Sequence, residues 1–295
     1  SLIHHSIYDF REQQGHWVMH PFYNDHTSYG AMIAFFIPFI IYNIIDNCQS
    51  NSVRRVALFL GLLYVVALIF SYTRAAWLSI VVALICFLLI IFKIRLINFT
   101  LLMLIITVNL YYFRDTIERS LDRNEAVSSS NFYKHIKSMY NVKTDVSNKE
   151  RLNRWKCAIR MFIDKPLVGF GPGTYQFEYA PYQNPADKTV ISTNAGIRGN
   201  AHSEYLGPLS EEGVLGLLSV LMIVILTIYY GLNNIKNITD RSYKLLNIAI
   251  LLSLITYFTH GLLNNFLDTD KASAPFWGTI AAIVVMNRKN KKGII

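Results

Sequence analysis

The sequence predicts an all-α, polytopic transmembrane protein with about seven spans and a long loop outside the membrane. The chain of 295 residues is 53% hydrophobic and only 16% charged, which is too apolar for an ordinary soluble domain of this size. Its apolar residues are gathered into blocks close to the length of about 17–25 residues that a helical span needs. The blocks do not alternate in hydrophobicity as barrel strands do, so helices are the way to satisfy the backbone in lipid.

The apolar blocks define the spans in chain order. The second and last are short, and we expect them to extend into flanking residues. The predicted spans are residues 28–45, 56–70, 75–92, 97–113, 206–230, 245–263 and 274–286. They divide the chain into a four-span region over 1–113, which opens with a short outer segment over 1–27, a loop over 114–205, and a three-span region with a basic tail over 206–295. Because the chain starts at Ser1 and not at Met, we expect it to be the C-terminal part of a longer membrane protein.

The positive charges orient these spans. The net charge is +9, from 28 basic and 19 acidic residues. Most basic loop residues fall on one side if the spans alternate, and by the positive-inside rule that side is cytoplasmic. They are Arg54, Arg55, Lys93, Arg95, Lys236, Arg241, Lys244, Arg288, Lys289, Lys291 and Lys292. The short loops of the other side hold only Arg74 and Lys271, so that side and the long loop are predicted to be extracytoplasmic. The sequence shows no basic face with interleaved aromatics, which a nucleic-acid-binding surface would need. Its three cysteines include no pair with disulfide or metal spacing.

An amphipathic helix is predicted within the long loop, over residues 150–164. Its apolar residues recur at helical spacing and form one stripe, which we expect to lie on the membrane domain. The stripe consists of Leu152, Trp155, Ala158, Ile159, Phe162 and Ile163. Arg151 lies at its edge, while Lys156 and Arg160 point away. Pro166 and the glycines of 169–173 are predicted to end the helix in a tight turn. A dinucleotide-binding motif is the alternative for such a glycine run, but it requires a preceding strand, and none is predicted here.

Three polar residues are the main candidates for chemistry at the outer face. His202 ends the loop directly before an apolar run, and an imidazole can remove a proton from a hydroxyl at neutral pH. Arg74 lies in the tight turn between two spans, and Arg151 lies on the loop helix. Two guanidinium groups can hold a phosphate or pyrophosphate through paired hydrogen bonds. From the residues alone, His202 could instead be a histidine without a catalytic role at the membrane interface, and Arg74 could be an anchor at a helix end.

Three segments carry a resemblance to a known family. They are residues 71–78 (SYTRAAWL), residues 150–155 with 165–171 (ERLNRW and KPLVGFG), and residues 201–206 with 210–216 (AHSEYL and SEEGVLG). In order and topology they resemble the O-antigen ligase and polymerase superfamily of bacterial envelope glycosyltransferases. Ser203 stands where the family often has Asn. Members have roughly twelve spans, so the resemblance implies that N-terminal spans lie outside this chain.

The resemblance implies a site on the periplasmic side of the bacterial inner membrane. It implies an undecaprenyl-pyrophosphate-linked glycan as donor and a lipid A core sugar or a growing polysaccharide as acceptor. By position, His202 would be the base, and Arg74 and Arg151 would bind the pyrophosphate, with no metal or other cofactor. Ligase, polymerase and protein O-oligosaccharyltransferase remain alternatives. A transporter or flippase is a more remote one, because the spans are nearly free of charge.

Weaker candidates have structural alternatives. Arg154 shares its motif with Arg151 and is a possible supporting residue. Glu211 could orient an arginine or help the base, or could be an acid that a helix N-terminus favours. His260, Asn264 and Asp268 share one helix face if the sixth span continues that far, with hydrogen bonding between spans as the alternative. A polar group before the first span could line the acceptor path, and its spacing matches no compact metal motif. It comprises His16, His20, Asn24, Asp25 and His26. The loop aromatics Tyr175, Phe177, Tyr179 and Tyr182 could stack on sugars or pack the loop.

Overall fold

All the regular secondary structure in the described part of the chain is helical. The computed structural model describes residues 1–94, 146–190, 192–193 and 199–294, and these contain eleven α-helices and no strand. The helices are α1 (Leu2–Ser6), α2 (Glu12–Gly15), α3 (His26–Ile45), α4 (Asn51–Ile69), α5 (Arg74–Ile91), α6 (Val146–Asp164), α7 (Tyr175–Glu178), α8 (Leu206–Glu211), α9 (Gly213–Asn237), α10 (Arg241–His260) and α11 (Asp270–Lys291). The predicted span 97–113 and most of the polar start of the loop lie outside the described residues.

Five described helices are long and apolar enough to cross a membrane, namely α3, α4, α5, α9 and α10. The expected extension of the short second span is confirmed, since α4 begins at Asn51 and has 19 residues. The last span also extends, into the 22 residues of α11. It is not among the five membrane-length apolar helices, and it carries charged residues at both ends, from Asp270 to Lys291.

Helix α10 forms the centre of the bundle and packs against α3, α5, α9 and α11. Its buried face includes Ile250, Leu251, Leu254 and Tyr257, which join Phe35 and side chains of α11 in the main apolar core. By contrast, α4, α5 and α9 expose many large apolar side chains on their outer faces. Such faces suit contact with lipid and not with water, as expected for the periphery of a membrane bundle.

Hydrogen bonds define one end of this bundle, which we call the site end. Here α3 and α5 begin and α10 ends. The Thr73 hydroxyl donates to the His26 carbonyl at 2.8 Å, which joins the start of α5 to the start of α3. The Tyr205 hydroxyl donates to the Phe258 carbonyl at 3.0 Å, which joins the segment before α8 to the last turns of α10. Residues far apart in the chain therefore meet at one end of the bundle.

The opposite end, where α5 and α9 end and α10 begins, is called the basic end. Lys93 follows α5, Lys236 lies in the last turn of α9, and Lys244 lies in the first turns of α10. The Ser242 hydroxyl donates to the Asp46 carboxylate at 2.7 Å, which ties the start of α10 to the end of α3. Basic residues therefore gather at the end remote from His202, as the alternation of the predicted spans requires.

The predicted span 206–230 was wrong as a single helix. It is divided into α8 and α9, because α8 ends at Glu211 and Gly213 has a φ of 67°. A Cβ at Gly213 would lie 2.5 Å from the Leu167 carbonyl carbon, so a close backbone neighbour and a left-handed φ both require glycine. The apolar pattern continues across this break, which is why hydropathy alone does not reveal it.

The glycine turn after α6 packs directly onto that break. The prediction of a tight turn is confirmed, since the three glycines of residues 169–173 have φ values of 62°, 113° and 72°. The Gly171 N–H donates to the Glu211 carbonyl at 2.7 Å, and the Val214 N–H donates to the Pro166 carbonyl at 2.8 Å. The turn therefore satisfies backbone groups that a broken helix leaves open.

The loop helix α6 buries a different face from the one predicted. Its buried residues are Glu150, Asn153, Arg154, Cys157, Ala158 and Met161. Only Ala158 belongs to the predicted apolar stripe, whose members Ile159 and Ile163 are exposed. Trp155 is half-buried and contacts the segment around His202. The prediction of one apolar contact face is therefore wrong, although Trp155 does link α6 to the rest of the protein.

Polar pairing is the physical reason for this difference. Arg154 Nε and Glu150 Oε1 form a buried ion pair at 2.7 Å, and Asn153 donates to the Gln183 side chain at 3.0 Å. Buried polar groups that are paired cost little, so a helix face containing them can be covered by the following loop segment. The partner Gln183 is 30 residues away from Asn153, beyond what helical periodicity can indicate.

Candidate active site

His202 lies in a short segment, residues 199–205, which we call the histidine loop. Its φ of 48° is left-handed, a conformation that costs a non-glycine residue on the order of 1–3 kcal/mol unless its surroundings hold it. Two hydrogen bonds do so. The His202 N–H donates to Asn200 Oδ1 at 3.1 Å, and Trp155 Nε1 donates to the His202 carbonyl at 3.3 Å. The imidazole is thus positioned by its own backbone and by α6.

The next anchor of the histidine loop is Glu204, a residue that sequence reasoning did not single out. Glu204 Oε1 accepts hydrogen bonds from the Tyr257 hydroxyl at 2.6 Å, the Phe266 N–H at 2.7 Å and the Leu267 N–H at 3.0 Å. Burial raises the pKa of this carboxyl, against the opposing effect of the three donors. Glu204 therefore ties the histidine loop to α10 and to the turn that follows it. A signal was present, since an acid beside an apolar run is costly unless it is paired.

The electrostatic environment keeps His202 uncharged. Burial is the largest cause that lowers its pKa to about 4, and the positive charges of Arg151 and Arg154 lower it further, against Glu150 and Asp25. The imidazole is neutral at pH 7 and can accept a proton. Sequence reasoning proposed the neutral base, but it did not indicate the burial and the neighbouring charges that lower its pKa.

Arg151 lies on α6 one helical turn before Trp155, so both side chains project from the same face of the helix. Because Trp155 contacts the His202 carbonyl, this register brings Arg151 to the histidine loop. Arg151 also donates to Asn148 Oδ1 at 3.1 Å, and its charge acts on both His202 and His260. The structure therefore brings Arg151 and His202 together, as the sequence predicted.

Arg74 is the first residue of α5 and lies at the site end. The preceding Thr73 is hydrogen-bonded to the His26 carbonyl, and the charge of Arg74 acts on the His26 imidazole. The neighbouring Asp25 caps α3 by accepting from the Ser28 N–H at 2.8 Å, and its charge acts on His202. Arg74, through His26, and His202, through Asp25, are therefore both close to the start of α3 at the site end.

The residues at the end of α10 form a second polar group beside this site. His260 Nε2 and Asn264 Nδ2 are 3.2 Å apart, and both residues are buried. Within the described ranges, His260 Nδ1 has no hydrogen-bond partner although it is buried. The helix ends at His260, so the predicted shared face does not reach Asp268, which is exposed. His260 and Asn264 are thus neighbours of the site, while the charge of Asp268 acts on Glu204.

Arg154 and Glu211 are engaged in holding the loop together. Arg154 pairs with Glu150 and lies 4.4 Å from the centre of the Tyr179 ring. The Glu211 carboxylate accepts the Tyr175 N–H at 2.9 Å, at the start of α7. Both contacts are of the kind that stabilises a fold. Arg154 also lies close enough to lower the pKa of His202.

Two of the four loop aromatics pack inside the loop. Tyr175 and Tyr179 are buried with parallel rings whose centres are 5.3 Å apart. Tyr182 is half-buried and donates a short hydrogen bond to Asp164, whereas Phe177 is 64% exposed. Packing therefore accounts for Tyr175 and Tyr179, and Phe177 keeps the exposure that a sugar contact would need.

The polar group before α3 also lies at the site end. The rings of His16 and His26 are 4.1 Å apart, and Asp25 caps α3. Among the described residues, no three His, Cys, Asp or Glu side chains are grouped so that they could hold a metal ion. The site end thus combines a neutral imidazole, two guanidinium groups and further histidines, a set suited to proton transfer beside a bound anion.

Comparison with known proteins supports the same assignment. The family described as O-antigen ligase matches residues 59–221, more than half of the chain. The matched range contains Arg74, Arg151 and His202. No curated protein matches the chain significantly. The chain therefore belongs to the O-antigen ligase family of multi-pass membrane glycosyltransferases that act in polysaccharide biosynthesis.

Proposed function

We propose that this enzyme moves a glycan from undecaprenyl pyrophosphate to an acceptor hydroxyl, with His202 as the base. The acceptor oxygen forms a bond to the anomeric carbon as the bond from that carbon to the pyrophosphate breaks. The hydroxyl proton passes to His202, and the bonding electron pair leaves on the pyrophosphate. The observation that carries the proposal is the position of His202, which is hydrogen-bonded to Asn200 and to Trp155 of the same helix that carries Arg151, with its imidazole buried near that charge.

Arg74 and Arg151 would bind the pyrophosphate in this scheme. Negative charge grows on the leaving group during transfer, and guanidinium groups placed in advance stabilise it. The donor would also tune the base. Its negative charge would offset that of Arg151 and so raise the pKa of His202 above its value in the free enzyme, while burial, the largest cause of the lowering, would remain. The scheme requires no metal.

We also propose that the site end faces the periplasm. The support is the gathering of basic residues at the opposite end, because cytoplasmic loops carry an excess of Lys and Arg. Cys48 lies at the basic end and is exposed, whereas Val190 is 92% exposed in the loop on the site side. A membrane-impermeant maleimide should label Val190→Cys in spheroplasts and leave Cys48 unlabelled. Labelling of Cys48 and not of Val190→Cys would show that the site end faces the cytoplasm.

Substitution of His202 tests the base. His202→Asn is the sharper variant, because Asn tolerates the left-handed φ better than Ala, and His202→Ala serves as a second. Loss of a general base should lower kcat for transfer by about 100- to 10,000-fold and leave the KM for the donor little changed. The assay uses purified protein with an undecaprenyl-pyrophosphate-linked glycan.

The matched control is His4→Asn, which removes an imidazole that is hydrogen-bonded to the Val18 carbonyl. It should transfer glycan at the wild-type rate, and all three variants should accumulate in the membrane. Wild-type kcat in His202→Asn would exclude His202 as the base.

The acceptor requires a separate experiment, since ligase, polymerase and protein glycosyltransferase can share these residues. In a deletion strain, single repeats on the lipid A core with loss of long chains would indicate a polymerase. An undecorated core with chains retained on the carrier lipid would indicate a ligase, which is the function we propose first. Unglycosylated protein with normal lipopolysaccharide would indicate protein glycosylation.

A further inference from the structure

An apolar crevice lies between α5, α9 and α10, and at one end it reaches Tyr205, the last residue of the histidine loop. Its volume of about 890 Å³ is within the range of about 300–1,000 Å³ for small-molecule sites. Apart from three lysines at one end, the lining is mostly apolar, and it includes Ile90, Ile228, Leu251 and Ile255. Protein interiors are closely packed, so an apolar space of this size between helices suits an apolar occupant.

The crevice is long and opens sideways. Its lining on α10 extends from Lys244 to Thr259, and 15 residues of helix rise about 22 Å, more than half of a hydrocarbon core of about 30 Å. Leu232 and Leu262 line it and are 46% and 52% exposed, so the side formed by the described residues is open towards the surrounding lipid. A flexible hydrocarbon chain can enter such a space laterally.

Three lysines line the crevice at the basic end, namely Lys93, Lys236 and Lys244. Within the described ranges, none of them forms an ion pair or a side-chain hydrogen bond. Positive charges without acidic partners at the mouth of an apolar crevice are complementary to an anionic headgroup on hydrocarbon chains. The glycan donor does not account for them, because its pyrophosphate would be held by arginines at the opposite end.

We propose that this crevice is a binding site for an anionic phospholipid, independent of the donor site. The headgroup phosphate is held by Lys93, Lys236 and Lys244, and an acyl chain lies along the apolar faces of α9 and α10. Contact with three helices at once allows the lipid to fix their packing. The site therefore adds a structural ligand to the enzyme beyond its glycan substrates.

Native mass spectrometry of the full chain in detergent tests this site. The probes are phosphatidylglycerol and phosphatidylcholine with identical acyl chains. Wild-type protein should bind phosphatidylglycerol at one site and with higher affinity. Each lysine changed to Gln should weaken that binding about fivefold, and the triple variant about a hundredfold. Replacement of all three lysines by Arg should preserve binding, since the charge is kept.

The matched control changes Lys289, Lys291 and Lys292 to Gln. These exposed residues follow α11 or form its end, so the variant removes the same charge near the same end of the bundle but outside the crevice. It should bind phosphatidylglycerol within about twofold of wild type. Equal binding of the two lipids, or an equal loss in both triple variants, would overturn the proposal. Displacement of phosphatidylglycerol by undecaprenyl phosphate would also overturn it, because the crevice would then hold the carrier lipid. None of these readouts depends on transfer activity or on His202.

Discussion

Two groups of buried polar residues, one at each end of the helical bundle, differ in how far their members satisfy one another. At the basic end, three asparagines form a closed network. Asn234 Nδ2 donates to Asn247 Oδ1 and to the Ile283 carbonyl, both at 3.0 Å, and Asn234 Oδ1 accepts from Asn287 Nδ2 at 2.9 Å. Asn247 completes it by donating to the Gly231 carbonyl at 2.9 Å. A network whose members satisfy one another has little to offer a ligand.

At the site end, polar groups are held in place but left available. His260 Nδ1 and Arg154 Nη1 are buried with no hydrogen-bond partner among the described residues. His202 keeps a left-handed φ, and cationic side chains lie beside its neutral imidazole. Such costs are seldom retained for stability alone, since buried polar groups in folded proteins are usually satisfied. We infer that the closed network serves packing, whereas the unsatisfied groups near His202 are kept for the proposed binding and chemistry.

Apart from the loss of His202 itself, the largest effect is expected when a guanidinium group is replaced at the site end. Arg151→Lys and Arg74→Lys keep the charge but cannot form two parallel hydrogen bonds to a pyrophosphate. Hydrogen bonds to charged groups contribute about 1.5–3 kcal/mol, so kcat/KM for the donor should fall about 10- to 100-fold. Arg160→Lys on the same helix is the control, because Arg160 donates to the Tyr182 carbonyl within the loop. A similar fall in the control would mean that α6 itself had been disturbed.

A smaller effect is expected in the pH dependence. His202 must be neutral to act as a base, and its pKa is lowered to about 4, so wild-type kcat/KM should fall only as the pH drops towards 4. Arg151→Gln removes one cause of that lowering, so the pKa should rise towards its ordinary value of about 6.5 and the fall should begin at higher pH. Lys156→Gln removes an equal charge that is paired with Asp187, and its profile should match wild type. Superimposable profiles for all three proteins would show that Arg151 does not affect the pKa of the base.

The spans, and the end of the bundle at which each residue lies, could be predicted from the sequence, because they depend on the length of each apolar run and on the alternation of the spans across the membrane. The spans that became α3, α4, α5 and α10 follow from runs of apolar residues, and their ends agree with the structure to within a few residues. Placement of Arg74 and His202 at one end follows from counting spans. Nothing beyond the chain itself was needed for these features.

The features that escaped prediction depend on contacts between distant residues. Glu204 is anchored by residues 53–63 positions away, and the Asn234–Asn287 hydrogen bond joins residues 53 apart. The break before Gly213 exists because the turn after α6 packs against it. Helical periodicity and hydropathy describe one segment at a time, so they cannot indicate which polar residues will find partners or which face a loop will cover.

Substitution within the asparagine network should lower stability and should have the smallest effect on catalysis. Asn234→Leu would leave Asn247 Oδ1, the Ile283 carbonyl and Asn287 Nδ2 without their partner. Unsatisfied buried groups should lower the free energy of unfolding by about 1–3 kcal/mol, measured by denaturation in detergent.

The matched control for that substitution is Asn237→Leu, at an exposed position of the same helix, whose amide donates only to Asn233. It should change stability by less than about 0.5 kcal/mol. In both variants the transfer rate per folded molecule should equal that of wild type, because the network lies at the end of the bundle remote from His202. A reduced rate in folded Asn234→Leu, with Asn237→Leu unaffected, would show that the two ends are coupled. The division of the molecule into a packing end and a chemical end would then have to be abandoned.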